Sequence, residues 1–465
     1  MTLEELANAD RIVGVWWPEG HGERRLAGEL CLSGLALTLN GNPEGRFKGG
    51  RAQYPVIQGR TALGESLTLV GCAQMGRTSS LQGTETSFRA SSLIIGRHLR
   101  SRALRFRKLT LGADWLPSWA DICGFEVEND FDAGEVSVRY KQPPPLELAR
   151  ANGRSVRIHF GYSAPLGPWG LSKVTVEQRP FLELVTPAAL SLSQLREEVW
   201  WLESFFAFAL GFPCRFDTCL LSHRSYVRRR GWPRQRKRDP ILVWDRADSR
   251  AMVATGHHEA LFSCSELQAW APRALESWLE VVGRLEPVLG LYYGDLRDGN
   301  LFSNYRFLRI VNAVEGFHRR MCHTEDLPTA EHKKRIDDIV NAIPRNWRRW
   351  LKGRLRYSND PSLSTRLTQV IQLASKALGE DLSLTHRNRE AIVDTRNYLS
   401  HYDLNLEARA IRGDGIVHAA RFLRFVLELC LLGQLGFAPE AVSSIYDKWG
   451  RRSELIGVLR ADWLA

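Results

Sequence analysis

Two kinds of hydrophobic pattern divide this chain. Up to about residue 185, the apolar positions come in short β-branched or alternating runs interrupted by glycine and proline, which is typical of strands and turns. From about residue 293 they recur every three to four positions over longer stretches, which is typical of amphipathic helices. The sequence between them, 186–292, mixes both patterns. The predicted fold class is therefore α+β multidomain.

The pattern predicts three regions: a β-rich sandwich or barrel-like domain at 1–185, a mixed α/β middle region at 186–292 and an all-α bundle at 293–465. The predicted strands are 12–17, 35–39, 66–70, 136–140, 156–160, 174–176 and 241–244. The predicted helices are 192–208, 271–289, 302–322, 330–343, 346–356, 363–378, 387–400 and 416–435. Pro344, Pro361 and the turn-like Gly413-Asp414-Gly415 are expected to separate the later helices.

The net charge of the chain indicates the kind of partner that it binds. A net charge of +11 and a pI near 9.4 favour a polyanion, most simply nucleic acid. No apolar run approaches the ~18 residues of a membrane span, and the acidic N-terminus lacks a basic-then-apolar signal. We therefore expect a cytoplasmic protein that has no membrane contact.

Two basic stretches are candidate RNA-binding surfaces. The loop 224–238 has eight cations in fifteen residues, interleaved with aromatic rings that could stack on bases. Its candidate contacts are Arg228, Arg229, Arg230, Trp232, Arg234, Arg236, Lys237 and Arg238. The second stretch, 345–356, offers Arg348, Arg349 and Lys352, with Trp347 and Trp350 expected to face inward. For each stretch, the alternative is a solvated charged segment.

Metal and cofactor motifs are scarce. The eight cysteines are dispersed, as expected for reduced core thiols, although Cys214, Cys219 and His223 leave a zinc site open as the weaker alternative. The sequence has no phosphate-binding loop, no dinucleotide fingerprint after a strand, no HExxH and no acidic cluster of the two-metal nuclease kind. We therefore predict no cofactor and no metal, and favour metal-free chemistry.

The strongest candidate for chemistry is Arg396-Asn397-Tyr398-Leu399-Ser400-His401. An arginine fork can hold a phosphate, and a histidine can move a proton near neutral pH. The spacing alone means little, because Arg154/His159, Arg250/His257 and Arg412/His418 also fit it. Only Arg396 precedes a side-chain amide and closes an amphipathic run. The alternative is a surface arginine and a histidine that interacts with the helix dipole.

Helix geometry adds a condition to this interpretation. Positions five apart on a continuous helix point about 140° from each other. Arg396 and His401 can therefore converge only if the helix frays or ends near Ser400. The turn-favouring segment Tyr402-Asp403-Leu404-Asn405 predicts such an end.

Several segments together resemble ApeA-type proteins that carry a C-terminal HEPN ribonuclease domain. The Arg396-Asn397-x3-His401 segment resembles the HEPN signature, and the helix from Phe307 to Arg320 resembles the first HEPN helix. Gly14-Val15-Trp16-Trp17-Pro18, Ala27-Gly28-Glu29-Leu30 and Ile57-Gln58-Gly59-Arg60-Thr61 resemble the ApeA N-terminal domain. Each pattern is loose, and their order along the chain is the more specific feature.

The resemblance implies an anti-phage endoribonuclease whose β-rich domain senses or restrains. It also implies a homodimer formed through the HEPN domain, with RNA as substrate, tRNA as a candidate and a phage trigger. Arg396, Asn397 and His401 would be catalytic, with Glu315 and His318 as weaker supporting residues. The products would carry 2',3'-cyclic phosphate and 5'-OH ends. The alternative is a non-catalytic RNA-binding or dimerising HEPN sensor.

Overall fold

The computed structural model describes residues 3–43, 52–81, 83–164, 174–222, 240–244, 260–297, 303–322, 325 and 327–464. The chain divides into two compact units, one of Met1–Glu203 with Cys214–Thr255 and one of Ser204–Pro213 with Gly256–Ala465. The basic loop 224–238, with its eight candidate RNA contacts, lies outside the described residues, and so does His223. The division into three regions stays a prediction.

The first unit is built mainly from strands. They are β1 (Arg11–Pro18), β2 (Leu26–Cys31), β3 (Ala36–Asn40), β4 (Gln53–Thr61), β5 (Ser66–Ser80), β6 (Gly83–Arg89), β7 (Ser92–Ile95), β8 (Arg105–Gly112), β9 (Phe125–Asp130), β10 (Glu135–Tyr140), β11 (Leu146–Ala151), β12 (Arg154–Ser163), β13 (Glu177–Ser191), β14 (Thr218–Ser222) and β15 (Ile241–Trp244). Two short helices, α1 (Leu3–Ala7) and α2 (Leu116–Ala120), accompany them.

Six of these strands close into a barrel. The order β5-β4-β1-β2-β3-β6 returns to its start because β6 also pairs with β5, and every pairing is antiparallel. The same sheet continues from β5 through β7, β15, β14, β8, β13 and β12 to β11, while β9 and β10 form a separate hairpin. Closure satisfies backbone groups that an open sheet would leave at its edges. The predicted β-rich, barrel-like N-terminal fold is confirmed.

The barrel core explains two of its glycines. The side chain of Trp16 is fully buried, and its indole Nε1 donates to the Gly28 carbonyl at 3.2 Å. In register, Trp16 lies opposite Gly59 on β4, where an added Cβ would come within 2.3 Å of the indole ring. At Gly28 an added Cβ would come within 2.5 Å of the Thr38 carbonyl oxygen. A side chain at Gly59 would therefore collide with the indole, and one at Gly28 would collide with the neighbouring strand.

The second unit is helical. Its helices are α4 (Cys264–Trp270), α5 (Ala274–Arg297), α6 (Ser303–Met321), α7 (Thr329–Ala342), α8 (Arg345–Arg354), α9 (Leu363–Leu378), α10 (His386–His401), α11 (Gly413–Gln434), α12 (Pro439–Asp447) and α13 (Arg451–Arg460). Helix α3 (Leu192–Leu210) begins in the first unit and ends in the second. Helix α6 packs against α5, α9, α10 and α11, so it forms the centre of the bundle. The predicted all-α bundle is confirmed.

A buried ionic cluster lies inside this bundle. The Glu428 carboxylate on α11 is 1% exposed and accepts from the Arg424 guanidinium and the Tyr292 hydroxyl, each at 2.9 Å. Arg451 of α13 also donates to it. The two guanidinium groups lower the pKa of Glu428 although burial alone would raise it. The cluster therefore connects α5, α11 and α13 through one ionised carboxylate.

Two predictions of local structure are wrong. Residues 174–176 are described but form no strand, since β12 ends at Ser163 and pairing with β13 begins only at Glu177. Gly413-Asp414-Gly415 does not form a separating turn but begins α11. Gly415 is needed for close packing instead, because an added Cβ would come within 2.2 Å of the Trp463 carbonyl oxygen.

None of the described helices is both long enough and apolar enough to cross a membrane.

Candidate functional site

The candidate site lies where α6, α9 and α10 pack together. Helix α10 begins at a Thr385 cap, whose hydroxyl accepts from the Asn388 amide at 3.1 Å, and runs through the Arg396 segment. Ser364 on α9 fixes this helix from the side, donating to Glu390 at 2.7 Å and accepting from Arg389 at 3.1 Å. These bonds hold the first part of α10 against α9.

Arg396 is held from two sides. Its Nη2 donates to Glu315 Oε2 on α6 at 3.2 Å, and its Nη1 donates to Asn397 Oδ1 at 3.0 Å. The side chain is 28% exposed, and its buried Nε has no hydrogen-bond partner in the described part of the chain. A guanidinium has five N–H donors in a fixed fork. Arg396 is thus oriented by two acceptors and keeps donors for a third group.

Glu315 connects Arg396 to a second arginine. Its Oε1 accepts from Arg319 Nη2 at 3.0 Å, one helical turn further along α6. Arg319 also reaches Asp360 Oδ2, at 3.5 Å from its Nη1. Two cations and two carboxylates therefore alternate in the order Arg396, Glu315, Arg319, Asp360. Arg319 and Asp360 were not among the residues predicted from sequence, and only the position of Arg319 four residues after Glu315 could have indicated it.

His318 is buried beside this network and has a defined tautomer. Its side chain is 1% exposed, with Nδ1 at 3.0 Å from Arg366 Nη1 and Nε2 at 2.5 Å from Gln369 Oε1. Because a guanidinium can only donate, Nδ1 must accept and Nε2 must carry the proton. Burial lowers the pKa of His318, and the charges of Arg366 and Arg319 act in the same direction, against the hydrogen bond to Gln369. His318 is therefore a neutral, packed group that accepts from Arg366 and donates to Gln369.

His401 differs from His318 in exposure and in hydrogen bonding. It is exposed, it is the last residue of α10, and within the described residues no hydrogen bond or ion pair occupies its ring. Tyr402 follows in the left-handed conformation at φ 53°, and its amide closes the helix on the Tyr398 carbonyl at 2.6 Å. Helix α10 thus continues past Ser400 and includes both Arg396 and His401, whose positions lie about 140° apart around its axis. The predicted helix end near Ser400, and with it the convergence of the two side chains within one chain, is therefore not observed.

Thr395 fixes the position of the residue before Arg396. Its fully buried hydroxyl donates to the Ala391 carbonyl at 2.6 Å and accepts from the Ile411 amide at 2.8 Å. Ile411 belongs to the segment that follows the end of α10, so one hydroxyl joins the helix to the chain that returns beside it. Sequence reasoning missed Thr395, because a threonine inside a helical run gives no sign of its long-range partner.

The second basic surface differs from its prediction. Trp347 and Trp350 on α8 are 55% and 56% exposed, so the expectation that they face inward is wrong. Helix α8 packs on α7 and has no buried residue of its own, which leaves no core for the rings to enter. Arg349 and Lys352 are exposed as expected. Arg348 instead binds backbone, donating to the Ile343 and Asn341 carbonyls at 3.1 and 2.8 Å.

The cysteine pair considered for zinc is buried. Cys214 and Cys219 are 1% and 3% exposed, and burial raises the pKa of both thiols. Among the residues that the structure describes, no three His, Cys, Asp or Glu side chains are grouped as metal ligands would be. Both positions are consistent with the favoured interpretation of core thiols.

Comparison with known families gives the class of the protein and then its family. Residues 308–441 match the family model described as Apea-like HEPN, so the helical unit is of the HEPN class. Residues 11–278 match the model described as ApeA N-terminal domain 1. The second match covers more than half of the chain, which therefore belongs to the ApeA family of defence-associated HEPN nucleases. No curated protein and no solved structure matches the chain.

Proposed function

We propose that this protein is a metal-independent endoribonuclease of anti-phage defence that acts in the cytoplasm as a homodimer formed through its HEPN unit. One observation carries the proposal: Arg396 is oriented by Glu315 and Asn397 on the helix that ends at an exposed His401. An oriented cation and an exposed imidazole on one helix suit transesterification of RNA when two copies of the motif share one substrate and the ribose 2'-OH supplies the nucleophile.

The proposed reaction uses these side chains in separate roles. The 2'-oxygen attacks phosphorus, the bond from phosphorus to the 5'-oxygen breaks, and the products carry 2',3'-cyclic phosphate and 5'-OH ends. His401 takes the 2'-OH proton or gives a proton to the departing 5'-oxygen. Arg396 stabilises the negative charge of the phosphorane through donors that Glu315 and Asn397 leave free. Two copies of the motif would face one RNA across the dimer.

Asn397 and the supporting residues act through Arg396 and the substrate. The Asn397 oxygen accepts from Arg396, and its amide nitrogen is proposed to donate to a phosphate or to His401. Glu315 fixes the Arg396 guanidinium, and His318 accepts a hydrogen bond from Arg366. Arg349 and Lys352 are proposed to bind phosphates of the RNA, for which tRNA is a candidate. The β-barrel unit is proposed to restrain the nuclease until a phage trigger binds.

The chemistry of the product ends tests this proposal. RNA cut by the purified protein should accept label directly from a polynucleotide kinase at its new 5'-OH ends, without prior phosphatase treatment. The new 3' ends should resist enzymatic extension until the cyclic phosphate is removed. Products with 5'-phosphate and 3'-OH ends would contradict the mechanism, because a 2'-OH nucleophile cannot generate them.

A second candidate is a non-catalytic sensor that binds RNA and dimerises. It is favoured by the engagement of Arg396 with Glu315 and Asn397, which occupies part of the guanidinium that catalysis would use. The two functions separate in infected cells. Arg396→Ala should abolish protection if the protein is a nuclease, and it should leave protection intact if the protein is a sensor that relies on its basic surfaces.

A further inference from the structure

Helices α7 and α8 form an arm outside the bundle core. Neither helix contains a buried residue, and the two pack mainly on each other. Asn359 fixes the base of the arm by a reciprocal pair of hydrogen bonds, its Oδ1 accepting from the Leu327 amide at 3.0 Å and its Nδ2 donating to the Leu327 carbonyl at 2.9 Å. The arm is thus an ordered element whose surface does not serve the core.

The outer surface of the arm combines aromatic rings with cations. Trp347 and Trp350 are more than half exposed and meet edge to face, with ring centroids 6.0 Å apart at 76°. Tyr357 is 68% exposed just beyond the helix, with the Arg356 guanidinium 5.4 Å from its ring centroid. Exposed tryptophans are costly to leave in water, because each ring presents a large apolar area. Their presence together on a strongly basic helix indicates a ligand with both apolar faces and negative charge.

The helix also provides a place for a flat group. An open depression of about 630 Å³ is lined by Asn346, Arg349, Trp350, Gly353 and Arg354. Gly353 lies one turn from Arg349 and Trp350 and two turns from Asn346, and an added Cβ there would meet nothing within 4 Å. Gly353 therefore contributes no side chain to the depression that Trp350, Arg349 and Arg354 also line.

The base of the arm is connected to the Arg396 cluster. Asp360, next to Asn359, forms ion pairs with Arg319 at 3.5 Å and with Arg366 at 3.7 Å. Arg319 and Arg396 both donate to the Glu315 carboxylate. These contacts lie within one compact unit. The base of the arm is therefore joined to the ion-pair network that orients the proposed catalytic arginine.

We propose that the α8 surface is a binding site for unpaired nucleobases, which stack on Trp347 and Trp350 while Arg349, Lys352 and Arg354 hold the adjoining phosphates. The proposal rests on the function proposed above for its ligand, RNA, and specifies the class of substrate as single-stranded segments or loops. Stacking on an aromatic ring needs a free base face, which a duplex does not offer, whereas cations alone would bind either form. The site therefore distinguishes single-stranded from paired RNA.

Binding of RNA without cleavage tests this site directly. The full-length protein with His401→Ala is titrated into a fluorescein-labelled unstructured RNA, and anisotropy is measured. The same titration is made with the duplex of that sequence and with an abasic strand of equal length. Trp347→Ala and Trp350→Ala should each weaken single-strand affinity roughly 5- to 150-fold, the range of one base–aromatic stack. Affinity for the duplex and the abasic strand should change much less.

Further variants separate stacking from charge and from misfolding. Trp350→Phe keeps a ring and should retain most of the affinity. Gly353→Leu should lower it by filling the depression, although leucine is a better helix former and every charge remains. Arg349→Gln should lower the slope of log affinity against log salt by about 1, whatever the RNA. Trp449→Ala replaces another tryptophan of the same unit, 57% exposed, and should have no effect.

Two binding results would overturn the proposal. One is equal loss of affinity for single-stranded, duplex and abasic RNA in the tryptophan variants, which would show a phosphate-binding face alone. The other is unchanged RNA affinity together with lost binding to anionic phospholipid vesicles, which would make α8 a membrane-surface helix. Cleavage that depends on Arg396 but not on the α8 variants would sink this inference and leave the nuclease intact. Base-dependent binding without any cleavage would support the α8 site and contradict the nuclease function.

Discussion

Glu315 lies between Arg319 and Arg396, and its carboxylate fixes both guanidinium groups. Each of its oxygens accepts from a different arginine, at 3.0 and 3.2 Å, and its side chain is only 15% exposed. A half-buried ion pair of this kind does more for position than for stability, because desolvation offsets much of the attraction. At the residue scale, the central question is whether this positioning is needed for cleavage.

Glu315→Gln tests that question with little change in shape. The amide keeps one acceptor but loses the charge, so Arg396 should lose its fixed orientation. We expect the cleavage rate to fall about 10- to 100-fold, since a misplacement of about 1 Å can cost that much. The matched control is Glu407→Gln, which removes the exposed pair between Glu407 and Arg412 and should leave the rate unchanged. An unchanged rate in Glu315→Gln would show that Arg396 does not need this partner.

His318 predicts a pH dependence of stability. Its pKa in the folded protein lies below its ordinary value, so between the two values the unfolded chain binds more protons. The contribution of neutral His318 to the free energy of unfolding is therefore complete above about pH 6.5, and it is lost as the pH falls toward the folded-state pKa. Denaturant unfolding should show a smaller loss of stability in His318→Gln than in the wild type between about pH 7 and about pH 5. Equal losses would contradict the buried, neutral state.

At the scale of elements, the Thr395 hydroxyl joins α10, the helix that carries Arg396 and His401, to the segment at Ile411. Replacing Thr395 by valine keeps the volume but leaves the Ile411 amide without its acceptor, at a cost of about 1–3 kcal/mol. Thr395→Ser keeps the hydroxyl and should cost less. The free energy of unfolding, measured in denaturant, distinguishes the two variants. Equal stability of the valine variant and the wild type would show that water replaces the hydrogen bond.

Most helices could be predicted because their periodicity is local. Helix α9 was predicted at 363–378 and is observed at Leu363–Leu378, and α10 differs from its prediction by one residue at each end. The packing of these helices against each other was harder to predict. Trp347 and Trp350 have the spacing of a buried face, yet α8 has no core to enter, and no periodicity reveals that absence. Helices α12 and α13 were missed altogether.

The candidate site was predictable as a motif but not as a network. Arg396, Asn397 and His401 form a continuous segment, and the turn-favouring residues after it indicated the end of the helix. Arg319 comes from one stretch of chain and Asp360, Arg366 and Gln369 from another, and only the folded structure brings them together. Pairing across such distances leaves no pattern in a single sequence.

At the scale of the whole molecule, a barrel unit and a helical unit share one chain, and the proposal gives them different tasks. Gly59→Ala places a Cβ within 2.3 Å of the Trp16 ring, so it should destabilise the barrel by about 1–3 kcal/mol. Gly76→Ala is the control, because its nearest atom is the Ser87 hydroxyl oxygen at 3.2 Å. If the barrel restrains the nuclease, Gly59→Ala should raise RNA cleavage and toxicity in uninfected cells. Reduced toxicity at equal protein level would contradict restraint.

The central claim is that Arg396 and His401 cleave RNA without a metal, and one measurement addresses it most directly. Total cellular RNA is incubated in EDTA with the purified wild type, Arg396→Ala, His401→Ala and the control Arg387→Ala, an exposed arginine on the same helix. The account predicts cleavage by the wild type and the control and loss of cleavage in the other two. Equal cleavage by all four proteins would contradict it, because the activity would then come from another site or another protein.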